Sequence, residues 1–150
     1  MIFPRILSRK VCHIGSKDWA MLTRVYGPHI PWEKGGFLEN IGKPKVLYEE
    51  DLWILGGDFN VITSLEENKG RLRRMDVDME VFRDTIEGLH LVDIPTINGA
   101  FTWNKRRGGP QLVASRMDRF LVFEQVISRD IFLEAPILPG LGLDHWPIRI

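Results

Sequence analysis

The stretch Leu52-Trp53-Ile54-Leu55-Gly56-Gly57-Asp58-Phe59-Asn60 decides how this chain is read. An unbroken apolar run ends in two glycines and then an acid, the profile of a buried strand that delivers a polar residue at its end. The glycines let the chain turn sharply. In extended geometry Asp58 and Asn60 then fall on one side of the backbone and Phe59 on the other. An aspartate and an asparagine converging at a strand end can position a water and hold a phosphate oxygen. Taken alone, the tetrapeptide Gly57-Asp58-Phe59-Asn60 reads slightly better as an Asx-rich turn.

Upstream, Trp19 to Tyr26 reads as a strand stopped by Gly27-Pro28. From Pro31 to Glu50 the apolar period of Trp32, Phe37, Leu38 and Ile41 is broken by Gly35, Gly36, Gly42 and Pro44, which predicts irregular chain with one short helix. Downstream, residues 61–75 read as a loop. Met79, Phe82, Ile86 and Leu89 then mark one face of an amphipathic helix, with Asp76 and Asp78 at its N-terminal end, where carboxylates favour the helix dipole. Leu91 to Ile94 leads out of it. Gly99 to Trp103 and Arg116 to Phe123 read as strands, Val126 to Phe132 as a short helix, and Ile148 and Ile150 as a last strand. Strands interleaved with one good helix and long loops predict an α/β, or α+β layered, domain. A C-terminus inside a strand predicts a boundary cut within a domain.

Two further polar clusters adjoin apolar runs. Arg116-Met117-Asp118-Arg119-Phe120 sets an acid between arginines; alone it reads as a surface ion-pair cluster. Gly142-Leu143-Asp144-His145-Trp146-Pro147 places a hard oxygen ligand beside a titratable imidazole, with Pro147 fixing the chain just after. Alone it reads as a loop with an incidental histidine.

The bulk properties narrow the class. With 44% hydrophobic residues the chain is not disordered, and 150 residues suit one domain. Twenty basic residues against twenty acidic ones leave no global field for nucleic acid, so such a role must rest on local patches, Lys105-Arg106-Arg107 or Arg71, Arg73 and Arg74. The single cysteine, Cys12, excludes an internal disulfide and a zinc cluster, and fits a reducing compartment. No apolar run is long enough to span a membrane. Arg and Pro interrupt the first residues, against a secretory signal. The expected location is therefore intracellular, nucleus or cytoplasm.

In this order and with these flanks, Val25-Tyr26-Gly27-Pro28, Gly57-Asp58-Phe59-Asn60, Arg116 to Phe120 and Leu143-Asp144-His145 resemble the ordered motifs of the endonuclease/exonuclease/phosphatase superfamily. Phe101-Thr102-Trp103-Asn104, Ser115 to Val122 and Glu66-Glu67-Asn68-Lys69-Gly70 resemble its retroelement branch, the endonuclease of plant LINE-type (non-LTR) retrotransposons. The resemblance covers residues 19–150, with residues 1–18 as an N-terminal extension of unclear role. It implies a two-layer αββα sandwich of the DNase I-like kind, and Mg²⁺- or Mn²⁺-dependent hydrolysis of DNA. Asp58 would orient or deprotonate the attacking water, Asn60 would bond nucleophile and phosphate, and His145 would contact the scissile phosphate. Asp118 would fix His145, Tyr26 would touch the phosphate, and Asp144 would serve the metal. Trp103, Lys105 and Arg106 would meet the substrate.

The family's early asparagine and its principal metal-ligand glutamate have no counterpart before Tyr26. Leu143 stands where the family has a hydroxyl residue, and Arg24 where related elements have asparagine. The expectation is the C-terminal portion of the sandwich, its first half missing, with weakly bound metal and impaired activity. The rival expectation is a non-catalytic remnant of a decayed retroelement, inert or a weak nucleic-acid binder.

Overall fold

The computed structural model describes residues 5–12, 14–48, 52–70, 76–105, 112–129, 132–140, 142 and 144–150. Five strands form the main sheet: β1 (Ile6–Cys12), β2 (Trp19–Tyr26), β3 (Trp53–Asp58), β5 (Leu91–Ile94) and β8 (Asp118–Phe123), in the order β1-β2-β3-β8-β5. Only β2 and β3 run parallel; the other neighbours are antiparallel. A second, small sheet has the order β4 (Asn68–Lys69), β7 (Ala114–Ser115), β6 (Trp103–Asn104). Four helices complete the described chain: α1 (Pro31–Ile41), α2 (Lys43–Tyr48), α3 (Val77–Gly88) and α4 (Glu124–Ile127). Within the stretch read as an extension, Ile6–Cys12 pair with β2 along their whole length and form an edge of the main sheet.

Strand alternation gives the sheet two unlike faces. Met21 and Val25 of β2, Trp53 and Leu55 of β3, Leu121 of β8 and Leu91 of β5 are buried with Phe37, Leu38 and Ile41 of α1 and Met79 and Phe82 of α3. The predicted apolar stripe of α3 is this buried face: Met79 and Phe82 lie inside, and Ile86 and Leu89 pack at its margin. Asp76 caps the helix by accepting from the Met79 amide at 3.0 Å. The alternate positions Leu22, Arg24, Ile54 and Phe120 line an open groove of about 450 Å³ with Pro147, Ile148 and Ile150.

Residues 31–48 form two helices where irregular chain with one short helix was expected. Pro31 starts α1, where a missing N–H costs nothing, and Phe37, Leu38 and Ile41 enter the core. Their burial outweighs the roughly 1 kcal/mol that each of Gly35 and Gly36 costs a helix. Three strand boundaries also differ. The strand read from Gly99 to Trp103 is Trp103–Asn104, and that read from Arg116 begins at Asp118. Ile148 makes one isolated bridge with Ile137 rather than a strand. The helix read from Val126 to Phe132 is α4, at Glu124–Ile127.

Candidate active site

Register builds the site. Asp58, last residue of β3, lies opposite Tyr26, last of β2, and opposite Asp118, first of β8. Three strand ends therefore meet in one row. Glycine lets the strands close: Gly57 has φ +142°, and a Cβ there would stand 2.1 Å from the Val25 carbonyl oxygen. At Gly27 a Cβ would stand 2.0 Å from the Phe59 oxygen, and the Gly27 amide donates to the Asp58 carbonyl at 2.6 Å.

His145 reaches this row from far along the chain. Residues 144–146 run antiparallel to β6: the Asn104 amide donates to the Asp144 carbonyl at 2.9 Å, and the Trp146 amide to the Thr102 carbonyl at 2.7 Å. The imidazole between them bonds through Nδ1 to Asp118 Oδ2 at 2.9 Å, while Nε2 stands 3.8 Å from Asp58 Oδ2. With Asp118 ionised, Nδ1 is the donor. The bond to Asp118 raises the His145 pKa above its ordinary 6.5; burial opposes this, and the charges of Asp118, Asp58 and Asp144 add to it.

Asp58 is buried, and its pKa is raised from 3.8, by burial first and then by the facing Asp118. The Asn60 amide bond, His145 and His29 act the other way. Asn60 serves Asp58 closely. Its backbone N–H donates to Asp58 Oδ1 at 2.9 Å and its side-chain Nδ2 to Asp58 Oδ2 at 3.0 Å and to the Gly27 carbonyl at 2.8 Å. Both side-chain N–H groups are thus committed. Asn60 holds φ 53°, a left-handed geometry that asparagine tolerates better than most residues.

Asp58, Asp118 and His145 each offer a donor atom within 4.8 Å of the others, a set able to hold a metal ion. Asp144 is exposed and lies outside this group. Tyr26 is exposed, its hydroxyl 3.1 Å from Nε2 of His29. Trp103 bridges to His145 and, with Phe101 and Trp146, lines a pocket of about 250 Å³. Lys105 is exposed. Arg106, Arg107, Arg71, Arg73, Arg74 and Leu143 lie outside the described residues.

Sequence reasoning missed three contributors. His29 was silent because nothing in its spacing sets it apart from a loop histidine. Thr102 was read only as part of a motif, although its hydroxyl accepts from the Met117 and Asp118 amides. The third is an ionic cluster. Arg116 and Arg119, expected as a surface pair, are drawn inward, Arg116 partly and Arg119 completely, because two carboxylates meet them. Arg116 bonds Asp93 at 2.7 and 2.8 Å and Glu67 at 2.9 Å; Arg119 bonds Asp93 at 2.6 Å and Glu67 at 2.9 Å. The two guanidinium groups hold the Glu67 pKa down to about 2 against burial, with help from the Thr63 amide. This cluster ties the loop after β3, and β5, to the strand that carries Asp118.

No family model and no curated protein matches the sequence. Solved structures do match. The endonuclease domain of TRAS1, a telomere-specific non-LTR retrotransposon, aligns with TM-score 0.75 at 20% identity, over 96% of this chain and 61% of that one. The 3′ phosphatase NExo from Neisseria, bound to a product DNA hairpin, aligns with TM-score 0.66 at 15% identity, over 93% and 62%. The Xenopus laevis APE2 catalytic domain aligns with TM-score 0.60 at 20% identity, over 95% and 52%. The chain therefore has the DNase I-like fold of endonuclease/exonuclease/phosphatase proteins, and it spans between about half and three-fifths of these structures' lengths.

Proposed function

We propose that this chain carries the phosphodiester-hydrolysing centre of a divalent-metal-dependent endonuclease of the LINE type, acting on DNA in the nucleus or cytoplasm. The observation that carries this reading is the convergence of Asp58, Asn60, Asp118 and His145 at one end of the sheet from three distant segments. Among the described residues no helix is long and apolar enough to cross a membrane.

The side chains divide the work. Asp58, with its pKa raised by burial, is suited to take a proton from an attacking water. Asn60 fixes both oxygens of that carboxylate, so its contribution is to aim the base, with its own carbonyl oxygen left to meet the water. His145, whose charged form the bond to Asp118 favours, would supply positive charge at a phosphate oxygen. Tyr26 and His29 form the adjoining edge, and Trp103, Lys105 and Arg106 are the proposed substrate-side contacts.

The donors fit a hard divalent cation: two carboxylates face each other across β3 and β8, and their mutual repulsion helps to raise the Asp58 pKa. Mg²⁺ or Mn²⁺ would be held by these carboxylates, with Asp144 as a further proposed ligand, and would offset charge on the phosphate and leaving oxygens.

The test is nicking of supercoiled plasmid with Mg²⁺ or Mn²⁺. Nicking that is lost in Asp58→Ala and in His145→Ala supports the reading. A folded chain that binds DNA but does not nick it, alone or joined to the rest of a related domain, would favour the non-catalytic alternative.

A further inference from the structure

We propose that Thr102 is a positioning residue for the Asp118–His145 pair, acting through its side-chain oxygen. Thr102 is fully buried. It stands between the two segments that bring the partners together. Its carbonyl accepts from the Trp146 amide at 2.7 Å, which fixes the residue after His145. Its Oγ1 accepts from the Met117 amide at 3.0 Å and from the Asp118 amide at 2.9 Å. Its own amide donates to the Ser115 carbonyl at 3.1 Å.

The placement has a physical reason. Between β7, ending at Ser115, and β8, starting at Asp118, the chain leaves one sheet and enters the other. At that step the Arg116 amide is taken by the Glu67 carbonyl, and the next two amides turn to Thr102. One hydroxyl oxygen accepts from two successive, partly buried N–H groups at the step between the sheets. Because one of them belongs to Asp118, the same atom sets where the Asp118 carboxylate starts its reach toward Nδ1 of His145. A single residue thus fixes the backbone on both sides of a 2.9 Å bond.

Thr102→Val keeps the branched shape and removes the acceptor; Thr102→Ser keeps the acceptor. The first readout is the imidazole ¹⁵N and N–H spectrum of His145 in metal-free protein, with Asp118→Ala as the reference for a broken bond. Wild type and Thr102→Ser should show the Nδ1–H form with a downfield proton. Thr102→Val should lose that proton and resemble Asp118→Ala. The second readout rests on the proposed hydrolysis: kcat should fall by about 10- to 100-fold in Thr102→Val with KM little changed, and Thr102→Ser should recover it.

A folded Thr102→Val protein with the wild-type His145 spectrum would overturn the inference. Should valine prevent folding, Thr102→Ala makes the same comparison. Collapse of both, with Thr102→Ser folded, would assign Thr102 a structural role only and also overturn it. The spectrum does not depend on catalysis. The expected spectral change in a chain that never nicks DNA would leave Thr102 as the positioning residue and reject the nuclease reading alone.

Discussion

Replacing Glu67 by glutamine should destabilise the protein by about 3 kcal/mol. The change keeps the side chain's size and removes its charge. Glu67 accepts from Arg116 at 2.9 Å, from Arg119 at 2.9 and 3.2 Å, and from the Thr63 amide at 2.7 Å. The cluster is balanced: two guanidinium groups against Glu67 and Asp93. It has no slack, since Nε of each arginine is buried without a partner among the described residues. Glutamine would leave a fully buried Arg119 with one carboxylate to share. Two routes give the magnitude. Holding the Glu67 pKa at about 2 instead of 4.5 corresponds to about 3 kcal/mol, at roughly 1.4 kcal/mol per unit. Breaking a buried ion pair from one side costs about 3–5 kcal/mol. The depressed pKa fixes the pH window: this stabilisation is present above the unfolded value near 4.5 and is lost as pH falls toward 2. Urea unfolding of wild type and Glu67→Gln at pH 7 measures the difference, and at pH 3 the gap should narrow. A loss below about 1 kcal/mol at pH 7 would refute the reasoning and mark the cluster as solvated in solution.

Asp118→Asn should lower the His145 pKa toward 6.5, because the bond to the Asp118 carboxylate is the largest cause of its elevation. In wild type, the stability linked to that imidazolium is complete below 6.5 and disappears as pH rises through the folded value, which an NMR titration follows; an unmoved pKa in the variant would contradict the pairing. Phe82→Ala should cost about 3–5 kcal/mol in urea unfolding, since Phe82 is fully buried against Phe59 and lies 5.3 Å from the Arg119 guanidinium. Gly57→Ala should prevent the close approach of β2 and β3 at the site, seen as a lowered melting temperature; wild-type stability in that variant would show that the 2.1 Å clash is relieved by a backbone shift.

What the sequence disclosed and what it hid divide along a physical line. The run Leu52 to Gly57 and the stripe Met79, Phe82, Ile86 and Leu89 carry their own periodicity, so β3 and α3 were legible with their burial. The end of β3 at Asp58 was legible because the glycines before it announce a strand end, whereas the left-handed backbone of Asn60 was not. Helix α1 was legible only as one short helix in irregular chain, because tertiary burial of Phe37, Leu38 and Ile41 overrides two helix-weakening glycines. The start of β8 was misplaced for a similar reason. The backbones of Arg116 and Met117 pair with Glu67 and Thr102, residues 49 and 15 positions away, so the strand cannot start there. Charge content likewise gave no hint that Arg119 would be fully buried, since the carboxylates that permit it are supplied by the 3₁₀ turn Leu65–Glu67 and by β5.

The sequence Arg116-Met117-Asp118-Arg119 invites the view that its aspartate is neutralised by its neighbours, and the fold arranges the opposite. Alternation along β8 sends the Arg119 guanidinium to the helix-covered face, over Phe82, while Asp118 turns to the strand-end row. Both arginines spend their charge on Glu67 and Asp93. Asp118 is left facing a second carboxylate, Asp58, at the same level of the ladder, where like charges destabilise a sheet. One half-buried imidazole stands between them. A site shaped for stability alone would have placed an arginine there, since two were available within two residues. Instead the arginines, Thr102 and the Gly27–Asp58 backbone bond hold the carboxylates in opposition from behind. Negative charge that the protein concentrates and then leaves under-compensated is what a cation would complete.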